Sequence, residues 1–247
     1  MLLNHLNNYF LVGLIIAFAG FTQGFSGFGA VLVSLPCLAF LLPIKTVVPL
    51  VNLMSCCINL ILIVQLRRHL QWPKIIPLLL ASFLGIPLGV YFLKAVAPWK
   101  LELLLGAVLI SFPFYSRYTR MDDRCIHSGW AYLAGFCSGC LGGSLGTNGP
   151  PIIIYTALQS WDKDEMKATL VGFFFIAHLG AVIFQTFSGL VTAKVVTMVF
   201  ASLPFLALGA LSGSFCYTKT ASETYKKAIT IMLFAIGLFL MGKAALE

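Results

Sequence analysis

Charge is what this sequence has least of. Only 10% of its residues are Asp, Glu, Lys or Arg, against about 25% in a soluble domain. So few charges cannot keep water over a folded surface. An ordinary soluble enzyme, a disordered chain and a nucleic-acid-binding module are excluded on that ground. Acidic residues are the scarcer kind, with eight in 247 residues. They are Glu102, Asp122, Asp123, Asp162, Asp164, Glu165, Glu223 and Glu247, and none sits deep in a long apolar run. Carriers driven by protons or sodium usually keep a carboxylate at depth, so a cation is disfavoured as the main cargo. No G-x-x-x-x-G-K-[ST] loop occurs, so the chain does not hydrolyse ATP. No metal site, cofactor or catalytic constellation is expected. The first nine residues carry no Lys or Arg, so the basic start of a signal peptide is missing.

What remains is apolar: 60% of the chain. Uncharged runs cover 1–44, 46–66, 75–93, 103–116, 125–161, 168–193, 195–218 and 228–242. A helix needs roughly 20 residues to cross a bilayer core. Four runs fit one crossing each. Runs 1–44 and 125–161 are too long for one crossing, so each must cross twice or enter and fold back. The reason lies inside them. Gly20, Gly24, Gly27 and Gly29 with Pro36 interrupt the first; Gly135, Gly139, Gly142, Gly143, Gly146 and Gly149 with Pro150 and Pro151 interrupt the second. Glycine and proline at this density break a helix. Unwound backbone at membrane depth survives only where protein or a wet cavity covers it. Dividing each long run at its break leaves ten apolar pieces and about 8–10 membrane helices.

The two breaks repeat each other. Ala19-Gly20-Phe21 and Ala134-Gly135-Phe136 match at an offset of 115, which Gly24/Gly139, Gly27/Gly142 and Pro36/Pro151 also keep. Gly89 and Gly213 pair later at an offset of 124. The expected fold is therefore an all-α integral membrane protein of two structural repeats, 1–120 and 121–247, together forming one transport domain. Each repeat has a glycine-rich broken or re-entrant helix pair and three further apolar helices. Basic residues set the orientation. Loops 67–74, 117–124, 162–167 and 219–227 hold 11 Lys and Arg, and the opposite face holds five. That bias puts the first set in the cytoplasm and both termini outside. One half then starts outside and the other inside, so the repeats are inverted, as in many secondary transporters. The net charge of +8 reflects this bias and not a polyanion partner.

A broken helix presents unpaired N–H groups at the start of its second piece, with the positive dipole end behind them. Such a terminus suits an anion. Small polar side chains cluster there: Thr22, Gln23 and Ser26 at the first break, Ser138, Ser144, Thr147 and Asn148 at the second. Gly24, Gly27, Gly29, Gly142, Gly143, Gly146, Gly149 and Pro150 shape the backbone. Asn52 and Asn59 share a face seven residues apart, and His178 and Gln185 repeat that spacing in the other half. His178 is the one histidine deep in a span. Close helix packing is the competing explanation for the glycines. Cys137 and Cys140 form a C-x-x-C within an apolar helix, a weak signal for thiol chemistry. Trp72, Trp99 and Trp161 stand at run ends, where interfacial aromatics belong.

Gly24-Phe-Ser-Gly-Phe-Gly29 leading to Leu35-Pro36, and Gly142-Gly-Ser-Leu-Gly-Thr-Asn-Gly-Pro-Pro151, resemble the paired signatures of the sulfite exporter (TauE/SafE) family. The resemblance covers nearly the whole chain, with Phe28 standing where the family commonly runs through three glycines. It implies an inner (plasma) membrane permease for small sulfur-containing or organic anions. The expected function is a secondary transporter, and not an enzyme, for a small oxyanion such as sulfite or an organosulfonate. The anion would bind at mid-membrane between the two broken helices and move by alternating access. Thr22, Gln23, Ser26, Gly27, Ser144, Thr147 and Asn148 would contact it, with Asn52 and His178 from flanking spans. Its partners would be the anion and the lipid bilayer, with a homodimer open and no nucleic acid. The rivals are a membrane thiol–disulfide carrier using Cys137 and Cys140, and a non-transporting scaffold.

Overall fold

A computed structural model describes residues 2–39, 41–95, 127–145 and 148–244, with scattered positions between 103 and 111. Nine helices have both ends among the described residues, further helical positions fall between 103 and 111, and no strand occurs among the described residues. They are α1 (Leu2–Ser26), α2 (Ala30–Ala39), α3 (Ile44–Leu66), α4 (Trp72–Ala95), α5 (Trp130–Leu145), α6 (Gly149–Ala157), α7 (Lys163–Phe187), α8 (Ala193–Thr218) and α9 (Ser222–Ala244). The fold is all-α. The apolar run 103–116 and the link at 117–124 lie largely outside the described residues, as does Trp99.

Among the described residues, three helices are long and apolar enough to cross a membrane: Thr46–Leu66 within α3, then α7 and α8. A helix is the form that satisfies every backbone polar group without water. The side chains are distributed inside out relative to a soluble protein. Leu84, Phe184 and Phe187 are 73%, 74% and 89% exposed, whereas Gln23, Ser26 and Asn59 are 2%, 0% and 0% exposed. An apolar exterior over a polar-seeded interior fits a bilayer as the solvent.

The described chain forms two compact units. The first joins residues 1–70 to 170–220; the second joins 71–169 to 221–247. Each unit therefore takes helices from both sequence halves. In the first, α1 packs along α8; in the second, α4 packs along α5. Glycine makes both contacts possible. A Cβ on Gly24 would collide with the Ala210 carbonyl, and one on Gly139 with the Ser82 carbonyl. Gly20 faces Leu206 and Gly135 faces Leu78 in the same way. Returning the contact, Gly213 lies on Phe21 O and Phe25 N, and Gly85 on Phe136 O and Cys140 N.

The two helix pairs thus share one register. Gly20/Gly135 and Gly24/Gly139 keep the offset of 115 seen in the sequence. Their partners correct the second offset. Leu78/Leu206, Ser82/Ala210 and Gly85/Gly213 are all related by 128, so Gly85 and not Gly89 is the counterpart of Gly213. The nearest sequence match was one helical turn out, because glycine positions four apart look alike until a partner helix selects one.

Candidate functional site

The first break is the best-defined polar feature of unit one. Helix α1 ends at Ser26, and α2 begins at Ala30. Gly27 and Gly29 have φ of 83° and 102°, a region that side-chain-bearing residues rarely enter. Between them Phe28 is 1% exposed and anchors the turn in the core. Gly27 N–H closes the last turn of α1 on Gln23 O at 2.8 Å, and Val33 N–H opens α2 on Gly29 O at 2.9 Å.

Most polar side chains at the break are bound to its own backbone. Thr22 Oγ1 donates to Phe18 O at 2.9 Å. Ser26 Oγ lies 2.7 Å from Thr22 O and 2.5 Å from Phe28 O, and accepts from Phe28 N–H at 3.2 Å. Ser34 Oγ donates to Ala30 O at 2.5 Å. Gln23 does most. Its Oε1 accepts from Ala30 N–H at 3.0 Å, the first amide of α2. Its Nε2 donates to Gly27 O at 3.2 Å and to Asn59 Oδ1 at 2.7 Å. One buried amide therefore pins both ends of the break and ties it to α3.

Among the described residues of unit one, five buried polar atoms have no hydrogen-bond partner: Ser55 Oγ and Asn59 Nδ2 on α3, His69 Nδ1 just beyond its end, and His178 Nδ1 and Gln185 Oε1 on α7. Native proteins leave few such groups unmet. His178 stacks near Phe174, with ring centres 5.9 Å apart. Asn52 is half-buried on α3. Of these, Ser55 was invisible as a candidate. The signal was its place between Asn52 and Asn59, three and four residues away, on one helical face.

The second break belongs to unit two. Gly146 and Thr147 lie outside the described residues, as do the surroundings of Gly143 and Ser144. Asn148 precedes α6, which opens on Gly149 and Pro150. Proline suits that place, where its missing N–H is not needed. The Asn148 side chain makes no cap hydrogen bond, but its carbonyl accepts from Ser138 Oγ at 2.5 Å. Gly142 leaves room for this turn: a Cβ there would lie 3.2 Å from Asn148 Cβ.

Unit two also holds charged features that the sequence reading passed over. Glu165 accepts from Gln71 Nε2 at 2.6 Å on one oxygen and from Lys74 Nζ at 3.1 Å on the other. Lys74 Nζ also stands 4.4 Å over the Trp161 ring, which meets Tyr155 edge-on at 5.9 Å. Lys167 looks like a loop charge in the sequence, yet it is 1% exposed, one turn along α7 from Asp164.

These features sit on a chain whose match to a known family is extensive. The model for the sulfite exporter TauE/SafE family matches residues 12–240. The chain belongs to that family. Comparison with curated proteins and with solved structures returns no match. Membership makes the chain a multi-pass membrane protein of a permease family, a class of transporters and not of enzymes. In this TauE/SafE chain the glycines build the α1–α8 and α4–α5 contacts and the turn at 27–29.

Proposed function

We propose that the chain is a secondary transporter that exports a small oxyanion, sulfite or an organosulfonate, across the inner membrane by alternating access. Family membership supports the transporter class. The observation that carries the anion is the make-up of unit one. Its basic residues are Lys45, Arg67, Arg68, Lys194 and Lys219, and it contains no Asp or Glu. No carboxylate of their own unit accompanies the polar groups round the first break and α3. A cation would find no counter-charge there, whereas an anion finds donors.

In this reading the anion enters beside the break at 27–29, with Thr22, Gln23 and Ser26 shaping the turn and Asn52 and His178 on flanking helices. Ser144, Thr147 and Asn148 are the corresponding candidates at the second break on the repeat reading. The excess of Lys and Arg in four loops supports a cytoplasmic face there and outward termini. Membrane potential, negative inside, favours anion exit by about 2.3 kcal/mol per charge per 100 mV.

The test is flux. Purified protein in proteoliposomes is loaded with sulfite, sulfoacetate, taurine, sulfate or chloride, and efflux is followed with and without an imposed potential. Electrogenic efflux of one sulfur oxyanion is expected. In detergent, that anion at a hundred times its Kd stabilises the fold by about 2.7 kcal/mol. Absence of flux and of stabilisation for every anion, in protein shown to be folded, overturns the proposal.

A further inference from the structure

We infer that Asn59 Nδ2 and Ser55 Oγ, two buried donors on α3, are the groups that recognise the transported oxyanion. The inference rests on the proposed function and deepens it. It moves recognition from the hydroxyls of the break to the helix behind it.

A backbone amide sets the polarity. Ala30 N–H must find an acceptor, and it meets Gln23 Oε1 at 3.0 Å. That contact decides which end of the Gln23 amide is oxygen, so its other end is the NH2 group. The NH2 group faces Asn59 at 2.7 Å, which requires the carbonyl end of Asn59 there. The Asn59 NH2 group must then point the other way. It is buried, with no acceptor. A chain of two amides thus transmits the polarity of one helix N-terminus to a point on α3, and what it presents there is a donor.

Ser55 lies one turn earlier on the same face. Its hydroxyl is also buried, at 1% exposure, with no partner. Serine in a helix ordinarily turns its proton onto a carbonyl one turn back, as Ser26 and Ser34 do here. Ser55 does not. Side chains at this spacing have Cβ atoms roughly 5–6 Å apart, a span that one small oxyanion bridges with two of its oxygens. Two donors with no protein acceptor, in a unit without a carboxylate, match a ligand that only accepts. Thr22 and Ser26 are poorer candidates, because their protons are already held by Phe18, Thr22 and Phe28 carbonyls.

The test compares Kd, from anion-dependent thermal stabilisation, with KM from proteoliposome efflux, using sulfite and sulfoacetate. Ser55→Ala removes one donor and should weaken both by about tenfold or more. Asn59→Asp keeps an oxygen for Gln23 but replaces the donor by a negative charge, and should abolish anion binding in a folded protein. Ser34→Ala, with a hydroxyl already satisfied inside α2, is the control and should leave both values unchanged. If the wild type binds and moves an anion while Ser55→Ala and Asn59→Asp keep its Kd and KM, the inference is overturned and the transporter reading stands. If Asn59→Asp does not fold, an unchanged Kd in Ser55→Ala overturns the inference, and a weakened one supports it. If the wild type binds no anion, both fall together.

Discussion

Gln23 and Asn59 share a hydrogen bond of 2.7 Å between α1 and α3, and neither amide touches water. This bond makes the turn at 27–29 part of the core instead of a loop on its surface. It also separates two roles that small polar residues can have in a membrane: holding unwound backbone in place, and facing a ligand.

Gln23 belongs to the first role. Gln23→Leu strands Ala30 N–H, Gly27 O and Asn59 Oδ1, each buried. Such groups cost about 1–3 kcal/mol each when unmet. The thermal midpoint in detergent should fall clearly, with or without anion present. A midpoint equal to wild type would show that the turn does not depend on this amide.

The glycine contacts set a sharper contrast. Gly24→Ala and Gly139→Ala drive a methyl into the carbonyls of Ala210 and Ser82, which are backbone and cannot rotate away. Overpacking of this kind costs about 1–3 kcal/mol or more. Yield of monodisperse protein and thermal midpoint should both drop. Gly180→Ala meets nothing within 4 Å and should match wild type in both measurements.

The Lys74–Glu165 pair should matter little to stability. Its side chains are 24% and 25% exposed, and pairs of this kind contribute about 0–1 kcal/mol. Lys74→Met should shift the midpoint slightly in low salt and less in 1 M salt, where screening is strong. A large, salt-independent loss would assign the effect to the Trp161 contact instead.

Thiol chemistry has its own check. Cys137 is exposed, Cys140 is half-buried, and neither is in a disulfide. Replacing both with Ala should leave anion efflux within about twofold of wild type, since the proposed mechanism assigns neither thiol a role and Cys in an apolar helix is ordinarily a small packing residue. Loss of efflux with retained folding would bring the thiol-carrier reading back.

The polar residues of the break were legible because few side chains in a long apolar run can hydrogen-bond at all. Their division of labour was not. Thr22, Gln23 and Ser26 look alike as ligand donors in a string of letters. Only the positions of Phe18 O, Phe28 O and Ala30 N–H reveal that their hydrogen-bonding capacity is already committed. Ser55 was passed over for the opposite reason. A serine in a helix normally satisfies itself, and its lack of a partner is a fact of three dimensions. Lys167 misled for a related reason: a charge six residues past a tryptophan at a span end reads as a loop residue until the helix start at Lys163 and its neighbours bury it.

Composition was enough for the class of molecule. With 10% charged residues and uncharged runs near bilayer length, backbone polar groups must satisfy one another, and helices are the way a chain like this does so. The glycine clusters marked where helices stop or approach, since no other residue tolerates those conformations and distances. Which helix approaches which was beyond the sequence. Glycines at 20, 24, 135 and 139 declare that a close partner exists, but α8 and α4 are chosen by carbonyls and methyls that meet only after folding. The same holds for Asn59. Its donor points where it does because Ala30 N–H, 29 residues earlier in the chain, orients Gln23 first.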